Sequence, residues 1–255
     1  MPAKLKVFSF NIRLDVKEDG INNFFNRTDR IIDCINSHKP DLIGFQEATP
    51  AMRGFLRDNL TDYTVVGCGR EKNLLGESTA IAFKKDDFEM ISLDTFWLSP
   101  TPRVPGSKYT EDQSPCPRNC TVVYLKHKDC DKPFYAYNTH LDHWGKMARI
   151  HGAMQIMQYA SEKGGQFVIT GDFNALPDAP EIKLITGSPV GAKDVTASLG
   201  GTFHDFGRLE EKQKIDYIFT NAKCDENETF AIEDEGIEGV YISDHYPVCA
   251  FVEFE

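Results

Sequence analysis

The chain has 255 residues, 41% of them hydrophobic and 26% charged, with a formal net charge of −11. These values describe a soluble globular protein, and no apolar run approaches the roughly 20 residues that span a bilayer. Such acidity opposes a non-specific grip on long nucleic-acid duplexes, which draws on basic surfaces, and better suits a small or specifically held phosphorylated substrate.

Leu5 to Ile12 alternates apolar and polar residues and reads as a strand. Ile31, Ile32 and Ile35 carry helical spacing through 26–38, ended by Lys39-Pro40-Asp41. A short apolar run, Leu42 to Phe45, stops at Gln46-Glu47; a helix over 52–60 and a strand from Thr64 follow. The segments 79–84 and 88–93 read as a hairpin turned at Lys85-Asp86-Asp87. With four prolines, 99–116 is loop-like. Strands are expected at 121–126 and 134–139, a helix over 145–161, and further strands at 167–170, 215–220 and 247–253. No repeat or linker divides the chain, so 1–255 is expected to form one domain. Many short strands with few helices between them point to two sheets with helices outside.

The N-terminus shows no signal-peptide pattern, and the seven cysteines are scattered without a paired framework, which together favour a cytoplasmic location. Cys116, Cys120 and Cys130 lack a fourth ligand at zinc-like spacing and are read as thiols.

Polar residues recur where apolar strands end: Asn11, Glu47, His140, Asp172 with Asn174, and Asp244-His245, while Asp216 lies inside the run 214–219. Ligands collect at strand ends, where loops converge over a rigid floor. These residue types suit a hard cation and a phosphate. Magnesium takes oxygen ligands, commonly one or two carboxylates plus phosphate oxygens, and Glu47 and Asp244 fit that part. Two histidines near neutral pH each need an orienting carboxylate, for which Asp216 and Glu77 are available. Arg118, beyond the proline-rich loop, reads equally as a phosphate ligand or an ordinary surface charge. Asp142 and His143 read as a solvated loop, Trp97 and Trp144 as packing residues, and Arg149, His151 and His204 as surface residues.

Taken in order, Ser9-Phe10-Asn11, Gly44-Phe45-Gln46-Glu47, Asn138-Thr139-His140-Leu141-Asp142, Gly171-Asp172-Phe173-Asn174, Ile215-Asp216-Tyr217-Ile218 and Ser243-Asp244-His245-Tyr246-Pro247 form an ordered set. The set resembles the endonuclease/exonuclease/phosphatase superfamily, and the segment 96–107 is similar to a compact microbial branch of it. The resemblance implies a four-layer α/β sandwich, two facing mixed sheets flanked by helices, with the site at one rim. It implies Glu47 as the principal ligand of Mg²⁺ (or Mn²⁺), with Asn11 and Asp244 completing or flanking the site. Asp172 would orient and deprotonate the attacking water, and Asn174 would hold that water or a phosphate oxygen. Asp216 would pair with His245 on the phosphate, and His140, oriented by Glu77, would be a second phosphate contact; Arg118 and Asn11 are the candidate substrate ligands. The implied activity is metal-dependent hydrolysis of phosphate diesters or monoesters, the alternative a nuclease on DNA or RNA. A non-catalytic binding module is disfavoured because no core motif is broken. The substrate is expected to be a phosphorylated small molecule, a lipid head group or a nucleic acid, and the protein a monomer without membrane insertion.

Overall fold

The chain enters through strand β1 (Ala3–Asn11), a 3-10 turn (Lys17–Asn22) and helix α1 (Phe24–His38). Asn23 caps α1 by accepting the Phe25 N–H, and Lys39 ends it in the left-handed conformation. β2 (Leu42–Ala48) leads to α2 (Pro50–Asn59), which starts on a Thr49 cap with proline in its first turn. Then come β3 (Tyr63–Val66), β4 (Ser78–Lys84), β5 (Phe88–Trp97), β6 (Asn119–His127) and β7 (Phe134–His140). Helix α3 (Lys146–Lys163) precedes β8 (Phe167–Asp172), and α4 (Pro180–Thr186) precedes the short β9 (Lys193–Asp194). β10 (Asp216–Thr220), the two-residue β11 (Lys223–Cys224) and β12 (Phe230–Ala231), and β13 (Val248–Phe254) complete the order. This is a computed structural model, and it describes residues 2–110 and 112–255; Met1 and Glu111, the latter within the loop expected at 99–116, lie outside the described residues.

The strands form two mixed sheets. The first runs β11-β13-β1-β2-β4-β3 with β12 on β13, and the second β5-β6-β7-β8-β10-β9. Leu5, Val7, Leu42, Ile81 and Phe83 of the first meet Val123, Leu125, Phe134, Val168 and Ile218 of the second in a core between the sheets. The outer face of the first sheet packs on α1 and α2 through Phe10, Phe45, Ile31 and Leu56. The outer face of the second packs on α3 and α4 through Tyr137, Ile169, Ile156 and Ile182. The result is the four-layer α/β sandwich. Covering both faces explains why β2, β8 and β10 are buried along their whole lengths and read as apolar runs, not as alternating ones.

One expected pairing is corrected. β4 and β5 are not a hairpin: β4 pairs with β2 and β3, whereas β5 pairs with β6. The chain crosses between sheets at Lys85-Asp86-Asp87, and Phe83 and Phe88 pack edge to face across the corner (6.0 Å). Burying both rings between the sheets holds the two strands apart in different layers. The turn signal was legible; the layer change was not. Among the described residues no helix is long and apolar enough to cross a membrane.

Candidate active site

The site grows from a period-two pattern shared by three strands. Ser9 and Asn11, Asn138 and His140, and Thr170 and Asp172 are each two residues apart, so each pair points to one face of its strand. That face is the one between the sheets. The inner members join a buried network: Gln46 Nε2 donates to Asn138 Oδ1 (2.7 Å), and Thr170 Oγ1 donates to the same oxygen (3.1 Å). Asn138 Nδ2 donates to the carbonyls of Phe45 and Ala80, binding β7 to the opposite sheet. A hydrogen-bonded polar layer of this kind fixes the relative position of two sheets, which apolar contacts alone do not. Gly44 makes room for it, since a Cβ there would overlap Thr170 Oγ1 and lie 2.7 Å from Asn138 Oδ1.

Glu47 enters differently. It follows Gln46 directly, yet both side chains reach the inter-sheet face because β2 bulges between Phe45 and Ala48 and Glu47 takes φ +65°. A positive φ at a non-glycine residue is uncommon and costs energy, and here it coincides with the chemistry. Its carboxylate accepts from Asn11 Nδ2 (3.0 Å) and the Leu14 backbone N–H (2.8 Å). The same Asn11 nitrogen donates to Asp172 Oδ2 (3.0 Å). Asn174, at φ +48°, folds its N–H back onto Asp172 Oδ1 (2.9 Å) and gives its amide to the Leu141 carbonyl (3.0 Å). His140 Nε2 stands 3.4 Å from Asp172 Oδ2. His245 Nδ1 donates to Asp216 Oδ2 (2.8 Å), which also accepts from Thr202 Oγ1 (2.6 Å), and its Nε2 lies 3.8 Å from Asp172 Oδ2.

These groups border a cleft of ≈ 380 Å³ whose lining includes Glu47, His140, Asp172, Asn174, Asp244 and His245. Its two histidines are driven in opposite directions. Burial opposes a charge on His245, but Asp216, through charge and hydrogen bond, with Asp244 and Asp172, outweighs it and raises the pKa to about 10. His140 falls well below the ordinary range because burial is reinforced by Arg118, Arg70 and the His245 cation. At neutral pH one imidazole is therefore a cation and the other neutral. Burial also lifts Asp172 to about 7, helped by the Asp216 charge and opposed by His245 and by hydrogen bonds from Asn174 and Asn11. Glu47 moves the other way: burial would raise it, but Arg13, Asn11 and the Leu14 N–H keep it ionised.

Glu47, His140 and Asp172 each present a ligand atom within 4.8 Å of the others, as do Asp172, Asp216 and His245. Two carboxylates facing one cleft beside a neutral imidazole fit a hard divalent cation. Asn11 turns its NH₂ to the acids and its oxygen to the Arg13 N–H (3.0 Å), and Asp244 faces Arg13 Nε (3.7 Å). Cys116, Cys120 and Cys130 form no disulfide.

Several other expectations change. Glu77 accepts from Arg70 Nη2 (2.5 Å), and among the described residues no hydrogen bond joins it to His140. Arg118 is buried in the cleft wall, not at the surface. Asp142 is no solvated loop residue: it is buried and accepts from Ser114, Trp144 and Gly145, which with Arg118 brings its pKa down to about 2 against the effect of burial. Arg149 is half-buried against Glu181 (2.5 Å), and His204 is fully buried on Tyr246. Trp97 packs as expected, donating to the Arg70 carbonyl (2.6 Å), whereas Trp144 is 67% exposed. Two functional candidates escaped the sequence reading altogether. Arg13 lines the cleft beside Glu47, and Arg70 lies in the loop before β4; no local pattern distinguishes either from a surface arginine.

The profile of the Endonuclease/Exonuclease/phosphatase family matches residues 8–245. A solved endonuclease/exonuclease/phosphatase from Bacteroides vulgatus is 32% identical with a TM-score of 0.88, covering 99% of this chain and 100% of its own. The mannosyl-6-phosphatase Bt3783 of Bacteroides thetaiotaomicron VPI-5482 is 28% identical with a TM-score of 0.83, covering 97% of this chain and 99% of its own. The uncharacterized protein L388 of Acanthamoeba polyphaga mimivirus is 24% identical over 280 residues, covering 98% of this chain and all of its own.

Proposed function

The chain belongs to the Endonuclease/Exonuclease/phosphatase family, and from that membership we propose that it is a Mg²⁺-dependent hydrolase of phosphate esters using a water activated by Asp172. The observation that carries the reading is the meeting of Glu47, His140, Asp172 and His245 at one cleft with two histidines of opposite charge state. Glu47 would hold the cation, with Asp172 beside it. When bound, the ion supplies positive charge against the phosphate and lowers the pKa of water.

The residues do the rest. Asp172, near pKa 7, accepts a proton from the attacking water at neutral pH. Asn174, fixed to both Asp172 and the Leu141 carbonyl, holds the approach to that acid. His245, kept cationic by Asp216, meets the negative charge that grows on the phosphate oxygens. His140 provides a second, neutral donor on the same side. The net charge of −11 favours a compact phosphorylated substrate over a long duplex. The phosphatase name carried by the Bacteroides thetaiotaomicron relative agrees with that choice.

The test is hydrolysis of p-nitrophenyl phosphate and bis-p-nitrophenyl phosphate with Mg²⁺, with EDTA, and in the Asp172→Ala and His245→Ala proteins. Turnover lost with EDTA and lowered by about 10²-fold or more in both variants is the expected result. Equal inertness of wild type and variants toward both esters would sink the reading.

A further inference from the structure

We propose that Arg70 and Arg118 form a subsite for the second charge and third oxygen of a terminal phosphate, so that the substrate is a phosphate monoester. The inference rests on the hydrolase reading above and narrows it.

Both arginines are buried and line the cleft on the side of His140 and Glu77. They also border a small cavity of ≈ 10 Å³ shared with Thr79 and Asn119. Their donors outnumber the acceptors around them. Arg70 gives Nη2 to Glu77, but its Nε is buried with no partner. Arg118 gives Nη2 to the His143 ring (2.8 Å), and its Nε reaches Asp142 only at 3.5 Å. Its Nη1 is buried with no partner, and so is Asn119 Nδ2. Asp142 has little left to offer Arg118, because its oxygens already accept from the Ser114 hydroxyl and three backbone N–H groups.

Arg118 is thus a buried cation whose nearest good acceptor is a neutral ring. Guanidinium groups pair best with planar or tetrahedral oxyanions through several donors at once. Three partnerless buried donors on residues that border one cavity call for an acceptor-rich anion. One water fits the small cavity but brings no charge to Arg118.

The phosphate's own valence then selects the ester. A diester has one charge and two free oxygens, which His245 and a cation held at Glu47 would engage. A monoester has a second charge and a third free oxygen. Arg70 and Arg118 line the same cleft as Glu47 and His245 and would pair with that oxygen. In the reaction the water oxygen forms the new P–O bond, the ester P–O bond breaks, the alcohol leaves with a proton and inorganic phosphate remains.

The test compares kcat/KM for p-nitrophenyl phosphate and bis-p-nitrophenyl phosphate in wild type, Arg118→Met, Arg118→Lys and Arg70→Met, each checked for folding by thermal melting. Calorimetric titration of inorganic phosphate into the same proteins reads the subsite without turnover. The expected result is a wild type that prefers the monoester and Arg→Met variants whose monoester-to-diester ratio falls at least tenfold. Phosphate binding should weaken at least tenfold in those variants, and Arg118→Lys should fall between. A wild type that prefers the diester overturns the proposal and leaves the hydrolase reading standing, as does an equal loss on both esters with unchanged phosphate binding. A wild type inert toward both esters that still binds phosphate through Arg118 overturns the hydrolase reading and upholds the subsite. Absence of both activity and phosphate binding overturns both.

Discussion

Asn11 and Asp172 belong to different sheets, yet Asn11 Nδ2 lies 3.0 Å from Asp172 Oδ2 while the same nitrogen holds Glu47 at 3.0 Å. One neutral amide therefore separates two buried acids and ties the sheets together at the rim. Asn11→Ala should lower kcat/KM by about 10- to 100-fold, the usual cost of losing a group that orients site ligands. Asn11→Asp, which adds a third carboxylate at the same place, should cost more. Steady-state kinetics on either nitrophenyl ester checks this, and an Asn11→Asp protein as active as wild type would count against it.

A second prediction concerns Gly44. A methyl group there would collide with Thr170 Oγ1 and crowd Asn138 Oδ1, both fixed in the polar layer. Gly44→Ala should destabilise the fold by about 1–3 kcal/mol, the range for overpacking a tight interior. Urea unfolding measures it. An unchanged midpoint would mean that the sheets can part at no cost.

Arg27 makes a third case. Fully buried, it donates Nε to the Asn22 carbonyl (2.6 Å), Nη1 to those of Ile12 (2.9 Å) and Ile242 (2.6 Å), and Nη2 to that of Arg13 (3.0 Å). It braces the turn carrying Arg13 and the Leu14 N–H against the segment carrying Asp244 and His245. Lysine has the charge but not the fork. Arg27→Lys should cost about 2–4 kcal/mol, since buried carbonyls lose their donors. Activity should fall further than the lost fraction of folded protein explains. Parallel denaturation and kinetics separate the two effects.

The fourth prediction is a pH dependence. His204 stacks on Tyr246 (4.2 Å), accepts the Gly207 N–H at Nδ1 (3.0 Å) and leaves Nε2 without a partner. Burial, with the His245 and Lys212 charges, lowers its pKa to about 4. The unfolded chain binds the proton near pH 6.5 and the folded chain only near pH 4, so the stabilisation is complete above pH 6.5 and is lost as pH falls through 4. His204→Phe keeps the ring but not the titration, and its Tm should fall less than that of wild type between pH 7 and pH 4. At pH 7 it should be the less stable protein by about 1 kcal/mol, because Gly207 N–H loses its acceptor. Melting curves across that range decide it; parallel curves would refute the assignment.

The layered fold and the acids and histidines of the cleft were readable because strands with two buried faces are apolar runs, and polar residues at their ends stand out. Asp216, inside such a run, was legible for the same reason. What the strands do with one another was not. The β4–β5 corner has the local chemistry of a hairpin, whereas β4 pairs with β2 and β3, β5 pairs with β6, and Phe83 packs on Phe88 where the strands part. Arginines were the least legible residues. Arg27 and Arg118 owe their roles to acceptors distant in sequence, and a long flexible side chain carries no periodic mark of where its head ends up. Glu77 and Asp142 misled for the related reason that a carboxylate's partner is chosen in three dimensions.

The pairing of β1 with β13 has a consequence for synthesis. Ala3 lies opposite Phe254 and Ser9 opposite Val248, so the first strand of the described chain sits mid-sheet between β2 and β13, more than 230 residues further along the chain. Asn11 closes one of these strands, and Asp244 and His245 immediately precede the other. A nascent chain still on the ribosome thus carries Glu47, His140 and Asp172 long before it can hold His245 against Asp216. Until then one side of β1 is an unpaired edge, open to other chains. The Asp216–His245 pair therefore forms together with the closing of that edge.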